Sequence, residues 1–215
     1  MDKQELEELK VSIYENLRQA IREGDKEKAL ALIDDSNSNR EKLNDLYVSW
    51  IDLLLTYIDD KLGEEAIYDA VRLFCQRFAV PALEGSFGPI NIADRVRKRA
   101  YMWTSFHGAD IDEIEEDEEK FIFKFKCPSG GSISTKEQCG RTKKAYPWSW
   151  GQEGLAYYCI HHPVLDILAI EQFGYPAWVI QTQPKGHCIQ YVYKNPESVP
   201  EEYYKRVGME KKTPK

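Results

Sequence analysis

Phe121-Ile-Phe-Lys-Phe-Lys-Cys127 is where the chain changes its period. Phe121, Phe123 and Phe125 alternate with Ile122, Lys124 and Lys126, and a repeat of two puts every second side chain on one face of a β-strand. Cys127 has the same parity and continues the buried face at the strand's end. Pro128-Ser-Gly-Gly-Ser132 follows as a tight loop. Upstream of this junction the pattern is helical. The fold class is therefore α+β: a helical N-terminal layer followed by a small antiparallel sheet with one crossing helix.

The helical layer is read from spacing. Leu6, Leu9, Ile13, Leu17 and Ile21 recur every three or four residues, so they share one helix face. Gly24 ends that helix and Asp25 caps the next. The polar run Asp34-Asp-Ser-Asn-Ser-Asn39 then breaks the pattern before a longer helix from Leu43 to Ile58, closed by Gly63. A fourth helix spans Glu64 to Phe78, with Cys75 as a small hydrophobe inside it. Asp52, Asp59, Asp60, Glu64 and Glu65 carry no paired histidine and read as a solvated face.

Pro81, Gly85, Gly88 and Pro89 mark an irregular connector, and a short basic helix, Ile92 to Met102, comes next. Its arginines are expected to face the acidic run Asp110 to Glu119, a block expected to be solvated. Beyond Cys127, Pro163 starts a helix that Phe173-Gly174 stops. Ala177 to Gln181 and Cys188 to Tyr193 pair as a hairpin across Gln183-Pro-Lys-Gly186. The tail after Asn195 is polar, contains proline and is expected to fray at its end. The regions are thus 1–80 helical, 81–119 connector, 120–195 carrying the site, and 196–215 tail.

The balance of composition, 42% hydrophobic and 30% charged, is that of a globular chain. A formal charge of −7 argues against nucleic acid and anionic membranes as partners. No targeting segment stands out, so the expected location is cytoplasmic, where five cysteines read as thiols or ligands rather than disulfides. There is no Gly-x-Gly-x-x-Gly, P-loop, Gly-x-Ser-x-Gly or His-Glu-x-x-His, so nucleotide, phosphoryl and serine-triad chemistry lack their usual residues.

What chemistry there is gathers between Cys127 and Cys188. Cys159-Ile-His-His162 places a thiol and an imidazole about one helical turn apart, within reach of one ion. Cys127, Cys139, Cys159 and His162 would make a closed Cys₃His zinc site, with iron as the alternative metal. Omitting Cys139 would leave it open and catalytic. His161 competes with His162 as the ligand, and His187 or Cys188 could complete the set. Cys188 ranks second, because only one of His187 and Cys188 points into a shared pocket from a regular strand. The rival chemistry makes Cys159 a nucleophile and His161 its base, since a helix start and neighbouring imidazoles lower a thiol's pKa. Trp148, Trp150, Tyr157, Tyr158 and Trp178 would wall a pocket for a small organic ligand.

Several segments together resemble a little-characterised bacterial protein group. They are Tyr47-Val-Ser-Trp50 and Leu54-Leu-Thr-Tyr-Ile58 before Gly63-Glu-Glu65, Cys127 with Pro128-Ser-Gly-Gly131, Pro147 to Gly151, and Tyr158-Cys-Ile-His161. Phe173-Gly-Tyr-Pro176 and Gly186-His-Cys188 are also similar to L-2-amino-thiazoline-4-carboxylate hydrolase-like proteins. That resemblance implies hydrolytic opening of a small C=N heterocycle, with a cysteine and an acid in the site. His162 stands where the group has a second cysteine, which keeps a soft ligand. Tyr146 stands where it has histidine, which removes a base. The function expected from residues and resemblance together is a zinc-binding Cys/His protein beside an aromatic pocket, a hydrolase or else a zinc-stabilised binding module.

Overall fold

The computed structural model describes residues 10–81 and 91–211. Leu6, Leu9, the connector residues Gly85, Gly88 and Pro89, and the last four residues of the tail lie outside them. The chain divides into two compact units, 1–46 and 47–215.

In the first unit, helix α1 (Ile13–Glu23) begins where the Ser12 hydroxyl accepts the Glu15 N–H, and ends at Gly24 in the left-handed conformation. Asp25 caps helix α2 (Lys26–Leu62) by accepting the Lys28 N–H at 3.0 Å. The expected break at Asp34 to Asn39 does not occur, and α2 runs on through it for 37 residues. Asp, Ser and Asn are weak helix formers but cost only about 0.5 kcal/mol each, and the run holds no Gly or Pro to stop it.

The second unit carries the sheet. Helix α3 (Glu64–Phe74) follows Gly63 and passes into a π-helical turn, Cys75–Ala79, in which Cys75 is fully buried as expected. Helix α4 (Ile92–Tyr101) likewise passes into a π-helical turn, Met102–His107. Four strands follow in antiparallel order β1-β2-β4-β3: β1 (Asp110–Glu116), β2 (Lys120–Lys126), β3 (Val179–Thr182) and β4 (His187–Tyr193). The α+β reading holds, and so does the β3–β4 hairpin, with Val179 opposite Tyr191. Phe123 and Phe125 are fully buried and Cys127 is 6% exposed, so the parity argument placed all three correctly.

The acidic run is not a loose block. It forms the edge strand β1, paired with β2 from Asp110↔Lys126 to Glu116↔Phe121. Lys124 reaches Glu113 at 2.9 Å and Glu115 at 2.5 Å, and Lys194 reaches Glu116 at 2.7 Å, so cross-strand lysines offset the acids. Charge on an edge strand also discourages pairing with another chain.

Helix α6 (His161–Phe173) is buried from His162 to Ile170, continuous with a 3₁₀ turn at Tyr157–Ile160. A helix apolar on all sides belongs in a core. Over the sheet, Trp103 packs against Phe125 in a tilted pair with ring centroids 4.2 Å apart and donates its indole N–H to Gln190 Oε1 at 2.7 Å.

The described part of the tail past Asn195 is packed, and the end expected to fray lies outside the described residues. A short helix α7 (Glu202–Lys205) buries Tyr203 and Tyr204, and Val207 beyond it is also buried. Arg206 anchors it. Its guanidinium stands over the Trp150 and Tyr203 rings and donates to Asp166 Oδ2 at 3.0 Å and to Ile180 O at 2.8 Å.

Candidate functional site

The site begins where β2 runs out. The Cys127 N–H still bonds to Gly186 O at 3.1 Å, the last rung of the β2–β4 ladder. The chain then folds into Pro128-Ser129 and a one-turn helix α5 (Gly130–Ser134), with Ser132 N–H bonded back to Cys127 O at 3.0 Å. Glycine is needed at this crossing. A Cβ on Gly131 would collide with Gly186 O and stand 2.9 Å from Cys127 Cβ, and one on Gly130 would stand 2.6 Å from Cys159 Sγ. The bare backbones of Gly131 and Gly186 therefore let the Cys127 loop lie directly on the turn between β3 and β4.

That crossing shapes the chemistry of Cys127. The Cys188 thiol and the backbone N–H groups of Ser129, Gly130 and Gly131 act on its sulfur and favour the thiolate. Successive N–H groups turned toward one point form a nest for negative charge. The thiol hydrogen bond is the largest influence, burial opposes it, and the backbone donors add to it. Together they bring the Cys127 pKa down from 9.0 to about 6. Cys188, which donates to the thiolate and is itself buried, is held protonated.

Beside this pair opens a cleft of about 310 Å³. Gly130, Gly131, Cys159 and Cys188 line it, and Arg141 and Lys185 stand among its polar walls. Arg141 donates to Gly154 O at 3.0 Å and to Ser134 O.

The other expected site residues are engaged elsewhere. Cys139 lies against Asp52, its Sγ 3.8 Å from Oδ1, and burial pushes its thiol up to about 11. Cys159 is buried, which raises its thiol, with Cys127 and Cys139 adding to the shift. His161 donates from Nδ1 to Tyr158 O at 2.6 Å, and its pKa falls to about 4 through burial. His161 is thus oriented by its own backbone and held neutral by burial. His162 packs between Trp150 and Trp178, with centroids at 6.2 and 5.8 Å, and burial holds it well below the ordinary histidine range. His187 Nδ1 lies 3.4 Å from Asp112 on the sheet's edge.

The expected zinc site of Cys127, Cys139, Cys159 and His162 is therefore corrected. Among the described residues no three His, Cys, Asp or Glu side chains are placed to hold a metal ion. His162 is enclosed by indole rings, Cys139 is held by Asp52, and Cys127 is turned to Cys188. The aromatic pocket is corrected as well. Trp148, Trp150, Tyr157 and Trp178 are buried in the core, and none of the five expected rings lines the cleft.

Two features escaped the sequence reading. Cys188, ranked second there, is the residue that touches Cys127, because a diagonal across the β2–β4 ladder is invisible without the pairing. The second is the acid set on α2 and α3, expected to be solvated, of which Asp52, Asp59 and Glu64 are buried. Gly140 N–H donates to Asp52 at 3.2 Å, Tyr157 OH to Asp59 at 2.8 Å, and Tyr146 OH to Glu64 at 2.9 Å. These acids fasten the 139–157 loop that walls the cleft. Buried acids paired to Tyr and backbone donors have no motif spacing that marks them.

Comparison of the chain with protein-family models, curated proteins and solved structures found no match. The geometry of the cleft therefore carries the functional argument alone. No helix among the described residues is long and apolar enough to cross a membrane.

Proposed function

We propose that the protein carries out thiol–disulfide exchange on a small polar molecule held in the cleft, with Cys127 as the attacking thiolate and Cys188 as the second thiol. The observation that carries this reading is the lowered pKa of Cys127, on which three backbone N–H groups and the Cys188 thiol act, directly behind Cys188 in the wall of the cleft. The thiolate is the reactive form, and low-pKa thiols next to a second cysteine are suited to exchange.

The steps balance. The Cys127 thiolate attacks one sulfur of a small disulfide and expels the other as a thiolate. Cys188 then gives up its proton to the second leaving thiolate as its sulfur attacks Cys127. The products are a Cys127–Cys188 disulfide, one small thiol and one small thiolate that takes its proton from water, and the reverse sequence restores the reduced protein. All five cysteines are free in the structure, which suits the reducing conditions of the cytoplasm. Arg141 and Lys185, set against the single acid Glu153 in the same wall, favour a substrate carrying negative charge.

An aromatic disulfide reagent that releases a coloured thiol tests this. At slightly acidic pH, Cys127 should react about tenfold faster than an unperturbed thiol, its larger thiolate fraction being partly offset by weaker nucleophilicity. The wild type should release two coloured thiols and retain no label. Cys188→Ser should release one and keep the other half of the reagent. Cys127→Ser should lose the fast phase. A fast phase that survives Cys127→Ser would refute the assignment.

A further inference from the structure

A second site lies at the far end of β4, away from the thiols. Arg95 and Arg99 stand one helical turn apart on α4, so both project from the same face. They line a small pocket with Tyr175, Pro176, Tyr191 and Tyr193. The expectation that this helix faces the acidic strand fails for both. Arg99 is 4% exposed, with its guanidinium 3.7 Å from the centre of the Trp178 ring and Nη2 donating to Ala177 O at 3.3 Å. Arg95 turns to Tyr193 O at 3.5 Å.

The charges here do not balance. Among the described residues, none that lines the pocket is acidic. The described carboxylate that acts on Arg99 is Asp166, and it is already engaged by Arg206 at 3.0 Å, the Trp178 N–H at 2.7 Å and the Trp150 indole at 3.2 Å. Arg99 Nη1 and Arg95 Nε are buried without a hydrogen-bond partner among the described residues. Burial, then the neighbouring Arg95, pulls the Arg99 pKa down to about 9. A buried cation with free donors and a like charge beside it is costly to maintain unless something negative joins it.

We propose that Arg95 and Arg99 form a binding site for the carboxylate group of a small organic acid. The shape argues for a carboxylate over other anions. The pocket offers about 30 Å³. A single water needs roughly 10–15 Å³ on the same measure, so there is room for about two, which matches a planar carboxylate and is tight for a tetrahedral phosphate. A guanidinium fork pairs with the two oxygens of a carboxylate in one plane. The Trp178 face already holds the Arg99 fork in place, so little side-chain freedom is lost on binding. Tyrosine and proline walls suit the hydrocarbon part of such an acid. This site is independent of the thiol cleft and stands whether or not exchange occurs there.

Thermal unfolding and isothermal titration of the full chain with sodium acetate, against sodium chloride and sodium phosphate at equal ionic strength, test the assignment. Acetate should give a saturable rise in Tm and a measurable binding isotherm, and chloride neither. Arg95→Met, at a half-buried position that tolerates an apolar stem, should weaken acetate binding about tenfold, the loss of one charge-assisted hydrogen bond. Arg99→Lys, which keeps the charge and removes the fork, should weaken it similarly and so covers the case in which Arg95→Met does not fold. A lack of saturation with acetate, equal binding of chloride, tighter binding of phosphate, or acetate affinity unchanged in both variants would each overturn the proposal.

Discussion

The two ends of β4 solve the same problem in opposite ways. At His187-Cys188 the strand meets a negative group, and at Val192-Tyr193 it meets positive ones. The Cys127 thiolate is met by fixed donors, three backbone N–H groups and one thiol, so its charge is satisfied by the protein itself. Among the described residues the Arg99 guanidinium is met by a ring face and a single carbonyl, which leaves its charge without a partner there. Backbone dipoles can stabilise a charge without a counter-charge when they converge on it, whereas a cation buried among tyrosines has no comparable source of negative potential. The difference separates a reactive centre, whose charge must exist before substrate arrives, from a binding pocket, whose charge is completed by the ligand.

The thiol end should be the more fragile. Gly131→Ala drives a methyl group into Gly186 O and Cys127 Cβ, and no flexible side chain is there to give way. It should cost about 1–3 kcal/mol in chemical denaturation and also slow the reaction of Cys127, because the nest is displaced. Gly130→Ala meets a side-chain sulfur instead and should cost less. If Gly131→Ala leaves the fast thiol phase intact, the nest does not control Cys127.

Mid-strand, Trp103→Phe would leave the buried Gln190 Oε1 without its donor and should cost about 1–3 kcal/mol. Trp103 lines neither the cleft nor the pocket, and phenylalanine keeps an apolar ring against Trp178, so Cys127 reactivity and acetate binding should both survive. Loss of either would mean that the two ends are coupled through the strand.

The pH dependence of stability separates the ends further. The folded pKa of Cys127 is depressed from 9.0 to about 6, so its contribution is present above the ordinary thiol value and is lost as pH falls through about 6. Stability should therefore climb between these limits. Asp166 acts the other way. Burial outweighs Arg206 and raises it from 3.8 to about 6, so its contribution is present below the ordinary carboxyl value and is lost as pH rises through about 6. Cys127→Ser should remove the climb on the alkaline side and leave the Asp166 decline on the acid side. Denaturation midpoints across this range measure both.

The smallest effect belongs to Arg99→Met in carboxylate-free buffer. Removing an unpaired buried cation in favour of an apolar stem should leave stability within about 1 kcal/mol of the wild type. A loss of several kcal/mol would mean that Arg99 already has its counter-charge within the fold.

What the sequence could disclose follows from range. Phe121 to Cys127 fixed its own parity because alternation is a local property, and Gly24, Asp25 and Gly63 announced helix ends because capping is local too. Asp110 to Glu119 misled, since an edge strand is stabilised by Lys124 and Lys194 across the ladder rather than by its own composition. Cys159-Ile-His-His162 misled in the opposite sense. Its spacing suits a metal, but the 3₁₀ turn and α6 carry His162 between two indoles and tie His161 to its own backbone. Cys188 and Arg99 became meaningful only through contacts some 60 to 80 residues away in the chain, with Cys127 and with Trp178 and Ala177.

The most direct test of the Cys127 assignment is the ultraviolet absorbance of thiolate followed across pH in the wild type and in Cys127→Ser. The wild type should show one thiolate appearing with a midpoint near 6, absent from the variant, while the remaining thiols stay protonated into the alkaline range. A wild type whose first thiol ionises only at the ordinary value of 9.0, or whose early transition persists in Cys127→Ser, would contradict the account.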